Sequence, residues 1–481
     1  MAASLRLLWR EGVSASADGE GTLVVQGPAA RVSLRQLPGA ILDAAGRFAP
    51  PGDDQDRLRE LIRGGGNGAL ARWYYCLERL TRHGLLCHVA CAGGARLATL
   101  VAVSPYFVSR PGQVVAGRRY VLSRFAYLRR QGTEAVLESP LAHARLILND
   151  CRVAALAGAL AAPATAEELA EQVGALPAEA VAGVLTLLLR AGILDEAGNG
   201  EGAPALQTWE FHDLLFHARS RRGRSDAPYG GTFRLADRLA PPPALKPAVA
   251  CEAHALYRPD LARLEQDDPP LARVQARRRS VREFNRARPI TGRQLGEFLF
   301  RVARVTGRHQ GEVTTPRGPV GLEFAPRPYP AGGGIHELEL YAVIGVCTDL
   351  SAGLYHYEPA RHRLIRLRGR TAEVTALCRD AAASTGAPED TVQVLLILAA
   401  RFARVAWKYE SIAYALTLKH VGVVYQTMYL AATAMGLAPC AIGGGDADLF
   451  ARAAGTDYCT ETSVGEFLLG SPRLETTDRV C

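Results

Sequence analysis

The stretch Ala403–Gly445 constrains this chain more than any other. From Ile412 to Met435 apolar residues recur at helical spacing, Leu416, Val423, Met428, Leu430 and Ala434 among them, with almost no polar face. A long helix of that kind is expected to be buried. Lys408 and Tyr409, two proton-handling side chains beside Trp407, stand just before it. Gly443, Gly444 and Gly445 stand just after it, where backbone can approach a flat ligand closely. An ordinary core helix with a glycine cap shows the same pattern, so this stretch alone leaves a cofactor site and a structural helix both open.

Two upstream segments bear on that choice. They are Arg277 to Phe284, reading RRRSVREF, and Arg327 to His336, reading RPYPAGGGIH. Together with Ala403–Gly445 they resemble the flavin site of the nitroreductase superfamily. More closely, they are similar to the SagB-type peptide dehydrogenases, FMN enzymes that oxidise thiazolines and oxazolines to thiazoles and oxazoles in peptide natural products. The resemblance covers the chain from Leu271 onward, and a further signature lies upstream from Trp209 to Phe233.

The resemblance implies FMN as cofactor and assigns residues to it. FMN carries a dianionic phosphate and a planar ring, so its site needs cations at one end and backbone or polar groups along the other. Arg278 and Ser280 are implied at the phosphate, Arg282 near the ring, and Pro330, Ala331, Gly332 and Gly333 along the ring, the last three through backbone N–H groups. Many relatives carry serine where this chain has Ala331, so only the backbone role carries over. Gly443, Gly444 and Gly445 are implied as a second close approach, and Arg473 as a further phosphate contact. Lys408 and Tyr409 match the pair to which relatives assign proton abstraction, with Arg404 and Trp407 as the neighbours expected to tune the lysine. Relatives carry an arginine shortly after that pair and a Gly-His in the helix, whereas this chain has Ser411-Ile412-Ala413 and Gly422-Val423, with His420 displaced. Gly353 to Tyr357 matches a family strand in which His356 reads as structural, and Val464 to Ser471 reads as an edge strand.

A chain of 481 residues with 48% hydrophobic and 22% charged residues is globular and long enough for two or three domains. Its formal charge of +8 is compatible with nucleic acid, an acidic peptide or a phosphorylated cofactor, and chooses among none of them. Ten cysteines are scattered without a dense framework, no signal peptide precedes them, and Cys481 reads as a tail. No window approaches ~18 uncharged apolar residues. A cytoplasmic location with reduced thiols and no membrane partner is expected. His83, Cys87, His88 and Cys91 raise zinc by proximity, but no paired C-x-x-C knuckles appear, and no metal is expected.

The fold class expected is α+β, with two winged-helix-like modules ahead of a nitroreductase-type domain. Residues 1–110 read as hairpin, helices and strands, and residues 135–205 as a clearer copy of the module. In the second, Thr165 caps one helix, Pro177 starts another and Gly192 precedes a strand. Residues 206–270 read as signature and proline-rich connector, and 271–481 as the catalytic domain. Tandem winged helices also read as a DNA-binding regulator, but the candidate recognition helix Ala178 to Arg190 carries only Glu179 and Arg190 as charges. A peptide-binding or purely structural role is the alternative for these modules. His212, Asp213 and His217 in the signature read as locally satisfied. The partners implied are an azoline-bearing precursor peptide, a second copy of the chain across the apolar helix, and a cyclodehydratase, with no nucleic acid. Substrate alternatives that keep the flavin are a carrier-bound azoline and a nitro or quinone compound.

Overall fold

Strict alternation organises the C-terminal sheet. In strands Leu338–Ile344 and Val394–Arg401 every residue from the first to the seventh is buried. Leu338, Leu340, Ala342 and Ile344 join one core, while Tyr341 and Val343 join another on the opposite face. A strand buried on both faces needs helices on both faces. The first core is closed by helices Gly292–Ala303 and Ala413–Ala434, the second by Ala372–Thr385 and Ala447–Ala454. All strand pairs in this seven-stranded sheet are antiparallel, in the order Ala253–Ala255, Arg363–Arg368, Gly353–Glu358, Leu338–Ile344, Val394–Arg401, Glu461–Gly470, Ala438–Ile442.

This computed structural model describes residues 3–18, 20–28, 30–66, 68–109, 112–174, 176–198, 203–247 and 251–473; Cys481 lies outside them. The chain divides into two compact units, 1–227 and 228–481. Residues 206–270 are therefore shared between units. The proline-rich stretch is also more than an extended connector, because it contributes strand Ala253–Ala255 to the sheet and helix Leu261–Asp267. The strand expected at an edge, Glu461–Gly470, is internal, flanked by Val394–Arg401 and Ala438–Ile442.

The N-terminal unit holds both expected modules, but one sheet runs through them. Strands Ala3–Trp9, Leu86–Ala92 and Ala95–Ala102 continue into Ala144–Leu148, Glu134–Glu138 and Tyr127–Gln131. The first module adds a three-stranded sheet, Ser14–Ala17, Leu23–Gln26 and Arg31–Leu34, packed with helices Gly39–Gly46, Gln55–Arg63 and Ala69–Arg82. The second keeps its expected punctuation. Thr165 and Glu168 form a reciprocal cap, Pro177 precedes helix Ala178–Ala191, and Gly192 ends it in the left-handed region. That helix buries eight residues between Ala180 and Ala191 against the strands. Among the described residues no group of three metal-ligating side chains forms. Cys87 and Cys91 share one face of their strand, and His88 turns away to Thr81.

The helix Ala413–Ala434 differs most from expectation. It buries a single stripe, Thr417, His420, Val421, Val424, Met428 and Ala432, and leaves Tyr414 and Leu418 exposed. Among the described residues its second apolar face is left partly open, at Tyr414 and Leu418.

Candidate active site

Helix Phe402–Lys408 delivers Lys408 at its last position, and Tyr409 caps it. The pair is held from two sides. From upstream, Gly230 and Glu410 exchange backbone hydrogen bonds, Phe233 N–H donates to the Lys408 carbonyl, and the Thr232 hydroxyl donates to the Glu410 carboxylate at 2.8 Å. The Phe233 ring lies 5.9 Å from Lys408 Nζ and edge-on to Trp407. The end of the upstream signature is thus a brace for the proton-handling pair. Ser411, just beyond, sits at φ 65° and donates its hydroxyl to the Pro228 carbonyl.

On the other side stands the glycine triplet. Gly333 has φ +63°, and a Cβ placed on it would lie 2.6 Å from the Tyr409 hydroxyl and 2.7 Å from Lys408 Nζ. The two side chains therefore rest together against bare backbone, a cradle that any larger residue would fill. Burial holds the Tyr409 phenol above its ordinary range, which keeps its proton in place at neutral pH. Arg404 and Trp407, expected to act on Lys408, are spent elsewhere. Arg404 donates to the Pro242 carbonyl and Trp407 to the Leu239 carbonyl, tying down the proline-rich segment.

The long helix Ala413–Ala434 works as a ruler for the remaining motifs. His420 accepts the Gly332 N–H at Nε2, 2.7 Å. Tyr425 accepts the Glu466 N–H at 2.7 Å beside Gly445, where a Cβ would lie 2.3 Å from the Glu466 carboxyl. Burial raises that carboxyl, with the Ser463 hydroxyl opposing. Tyr429 shares a 2.7 Å hydrogen bond with Ser280, accepts the Ala441 N–H at 2.8 Å, and lies 5.1 Å beneath the Arg278 guanidinium. His420, Tyr425 and Tyr429 share the helix with the polar residues Thr417, Lys419, Gln426, Thr427 and Thr433, so composition alone did not single them out. Thr232 and Phe233 fall in the upstream signature, whereas Glu337 carried no signal of its own.

The arrangement fits a bound FMN. Among the described residues Arg278 and Arg282 have no carboxylate partner, and a phosphate would supply one. Gly443 and Gly444 are exposed with open space above them. Arg473 lies at the same end, where Phe284 bridges Pro472, but its guanidinium already meets Glu283 at 3.3 Å. One chain does not bring every implied residue to one point. Ser280 and Arg278 meet the helix at Tyr429, and Gly332 meets it at His420, roughly 14 Å away along the axis. In the signature, His212 and Asp213 are exposed and lie 3.4 Å apart, while Arg219 reaches the buried Glu138 at 3.0 Å.

Comparisons with known proteins agree with this layout. A family model described as the helix-turn-helix domain of the oxidase ThcOx matches residues 1–108, one described as cyanobactin oxidase ThcOx matches 120–226, and the nitroreductase family matches 276–470. A Methanocaldococcus jannaschii protein that carries a nitroreductase name is 29% identical over 189 residues, which is 38% of this chain and 81% of that protein. A solved Anabaena variabilis protein, also named for nitroreductase, is 22% identical with a TM-score of 0.37; the match covers 53% of this chain and 45% of the other, so this chain spans under half of that relative. The Escherichia coli microcin synthetase McbBCD complex with truncated pro-MccB17 is 20% identical with a TM-score of 0.33, over 54% of this chain and 91% of that one. The C-terminal unit is that of a nitroreductase-family oxidoreductase. With its two upstream matches, the chain carries the domain set of the cyanobactin oxidase ThcOx ahead of a nitroreductase domain, and it fits a SagB-type peptide oxidase of the nitroreductase superfamily.

Proposed function

We propose that this chain oxidises thiazoline or oxazoline rings of a ribosomally made precursor peptide to the aromatic azoles, with FMN bound by Arg278, Ser280, Arg282, the Pro330–Gly333 backbone and the Gly443–Gly445 loop. The observation that carries the reading is the meeting of Lys408 Nζ and the Tyr409 hydroxyl over Gly333. The ring's Cα–H is acidified by the adjacent C=N and carbonyl, so one positioned base can remove it. Lys408 takes that proton, and the protonated Tyr409 phenol orients the amine or the ring nitrogen. Bound FMN supplies the acceptor for the two electrons that leave with the neighbouring hydrogen. Phe233 and the exposed glycines border the pair with surface suited to a flat heterocycle.

The open face of Ala413–Ala434 supports a homodimer as the active form, because a second copy would cover Tyr414 and Leu418. A cyclodehydratase that makes the azolines is the partner this chemistry requires upstream. Purified protein is expected to be yellow and to release FMN on denaturation. Lys408→Ala should keep the flavin and lose turnover of an azoline peptide by ~10² to 10⁴-fold. Colourless protein that takes up no added FMN would overturn the reading.

A further inference from the structure

A buried pair, Glu337 and His420, stands outside the proton-handling role of Lys408 and Tyr409. Glu337 is 1% exposed and His420 5% exposed, and they meet at 2.8 Å through His420 Nδ1. The other side of the same imidazole accepts the Gly332 N–H at Nε2. A backbone amide can only donate, so Nε2 carries no proton, and the ring's one hydrogen sits on Nδ1, donated to Glu337. The carboxylate thereby fixes the tautomer, the tautomer fixes an acceptor, and the acceptor pins Gly332. Gly333, next in the chain, is the surface against which Lys408 and Tyr409 rest. The remaining Glu337 oxygen has no hydrogen-bond partner among the described residues. A lone buried carboxylate oxygen is costly to keep, and retaining it argues that this carboxylate serves the imidazole rather than packing. His336, Arg327 and Arg404 are the other titratable or charged groups around it.

We propose that Glu337 and His420 are a positioning dyad that holds the Gly332–Gly333 cradle in register with Lys408 and Tyr409. The inference rests on the reading of Lys408 as the base and adds to it the residues that set its geometry. Doubly protonated His420 faces Gly332 with an N–H, and the pin is lost. The test compares His420→Gln, whose amide oxygen reaches the Nε2 position, with His420→Asn, whose amide stops at the Nδ1 position and meets Glu337 alone. Two readings are taken on the full-length chain. One is kcat and KM on an azoline peptide; the other is the rate of reductive methylation of Lys408 in flavin-stripped protein, resolved by peptide mass spectrometry. His420→Asn is expected to lower kcat on the order of 10- to 100-fold with KM little changed, and to alter the Lys408 methylation rate. His420→Gln is expected to stay within about threefold of the parent in both, the ordinary scale of a conserved hydrogen bond. Equal behaviour of the two variants, or early thermal unfolding of both, would make His420 a packing residue and end the proposal. If the parent turns over no azoline peptide, the functional reading fails, while the methylation comparison still decides the dyad.

Discussion

Gly333 shows how narrow the tolerance is at the level of single residues. Its φ of +63° disfavours any side chain by roughly 1–2 kcal/mol, and the space above it is occupied by the two groups that handle the proton. Gly333→Ala is expected to lower kcat at least ~10-fold while the flavin spectrum persists, read by turnover and visible absorbance on one preparation. His336 offers a pH test. Burial, helped by Arg327, His420 and Arg404, pushes its imidazole down to about 4 from an ordinary 6.5. Above 6.5 the group is neutral folded or unfolded and contributes nothing. Between 6.5 and 4 the unfolded chain takes up a proton that the folded chain refuses, so stability falls as pH is lowered, by about 2 kcal/mol at pH 5. Urea unfolding of the parent and of His336→Phe at pH 7.5 and pH 5 should show a pH loss smaller by that amount in the variant. Lys408, Tyr409 and Gly333 were legible because each falls in a contiguous motif. Glu337 and His420 were not, since their contact joins residues 83 apart and no local pattern announces it.

At the level of elements, the long helix was legible in extent and misleading in burial. Its observed span, Ala413–Ala434, lies within a residue of the apolar run at each end. An all-apolar helix says only that every face is to be covered, not that the same chain covers them. Leu418→Arg places a charge on the open face and is expected to shift the protein from dimer to monomer with loss of flavin, measured by sedimentation velocity at 280 and 450 nm. A dimer that persists with flavin intact would move the interface elsewhere. Tyr429 tests the opposite end of the helix. Its hydroxyl joins Ser280 to the Ala441 N–H, so Tyr429→Phe leaves both without that partner and is expected to weaken FMN binding ~10-fold, about one hydrogen bond's worth. Titration of stripped protein with FMN, followed by flavin fluorescence, reads this directly.

For the whole molecule, the division after residue 227 separates two units that each own their cores. The sequence pattern located the helices of both N-terminal modules and gave no sign that one sheet runs through them. The reason is visible in Leu86–Ala92: wing strands need one covered face, whereas these seven residues are all buried, Ala90 and Ala92 in one core and Cys87, Val89 and Cys91 in another on the opposite face. The candidate recognition helix of the second module packs its buried side into a core shared with that strand. If the N-terminal unit recognises the precursor, removing residues 1–227 should leave the flavin spectrum and turnover of a short azoline peptide within a few-fold, because every residue of the cradle, its Gly230–Phe233 brace and the helix ruler lies at or beyond Pro228. The truncated chain should at the same time lose its preference for the intact precursor, which appears as a rise in KM for that peptide to the level of the short one. A truncated chain that still prefers the intact precursor would transfer peptide recognition to the C-terminal unit, and a truncated chain that loses flavin would show that the upstream unit supports the fold of the catalytic one.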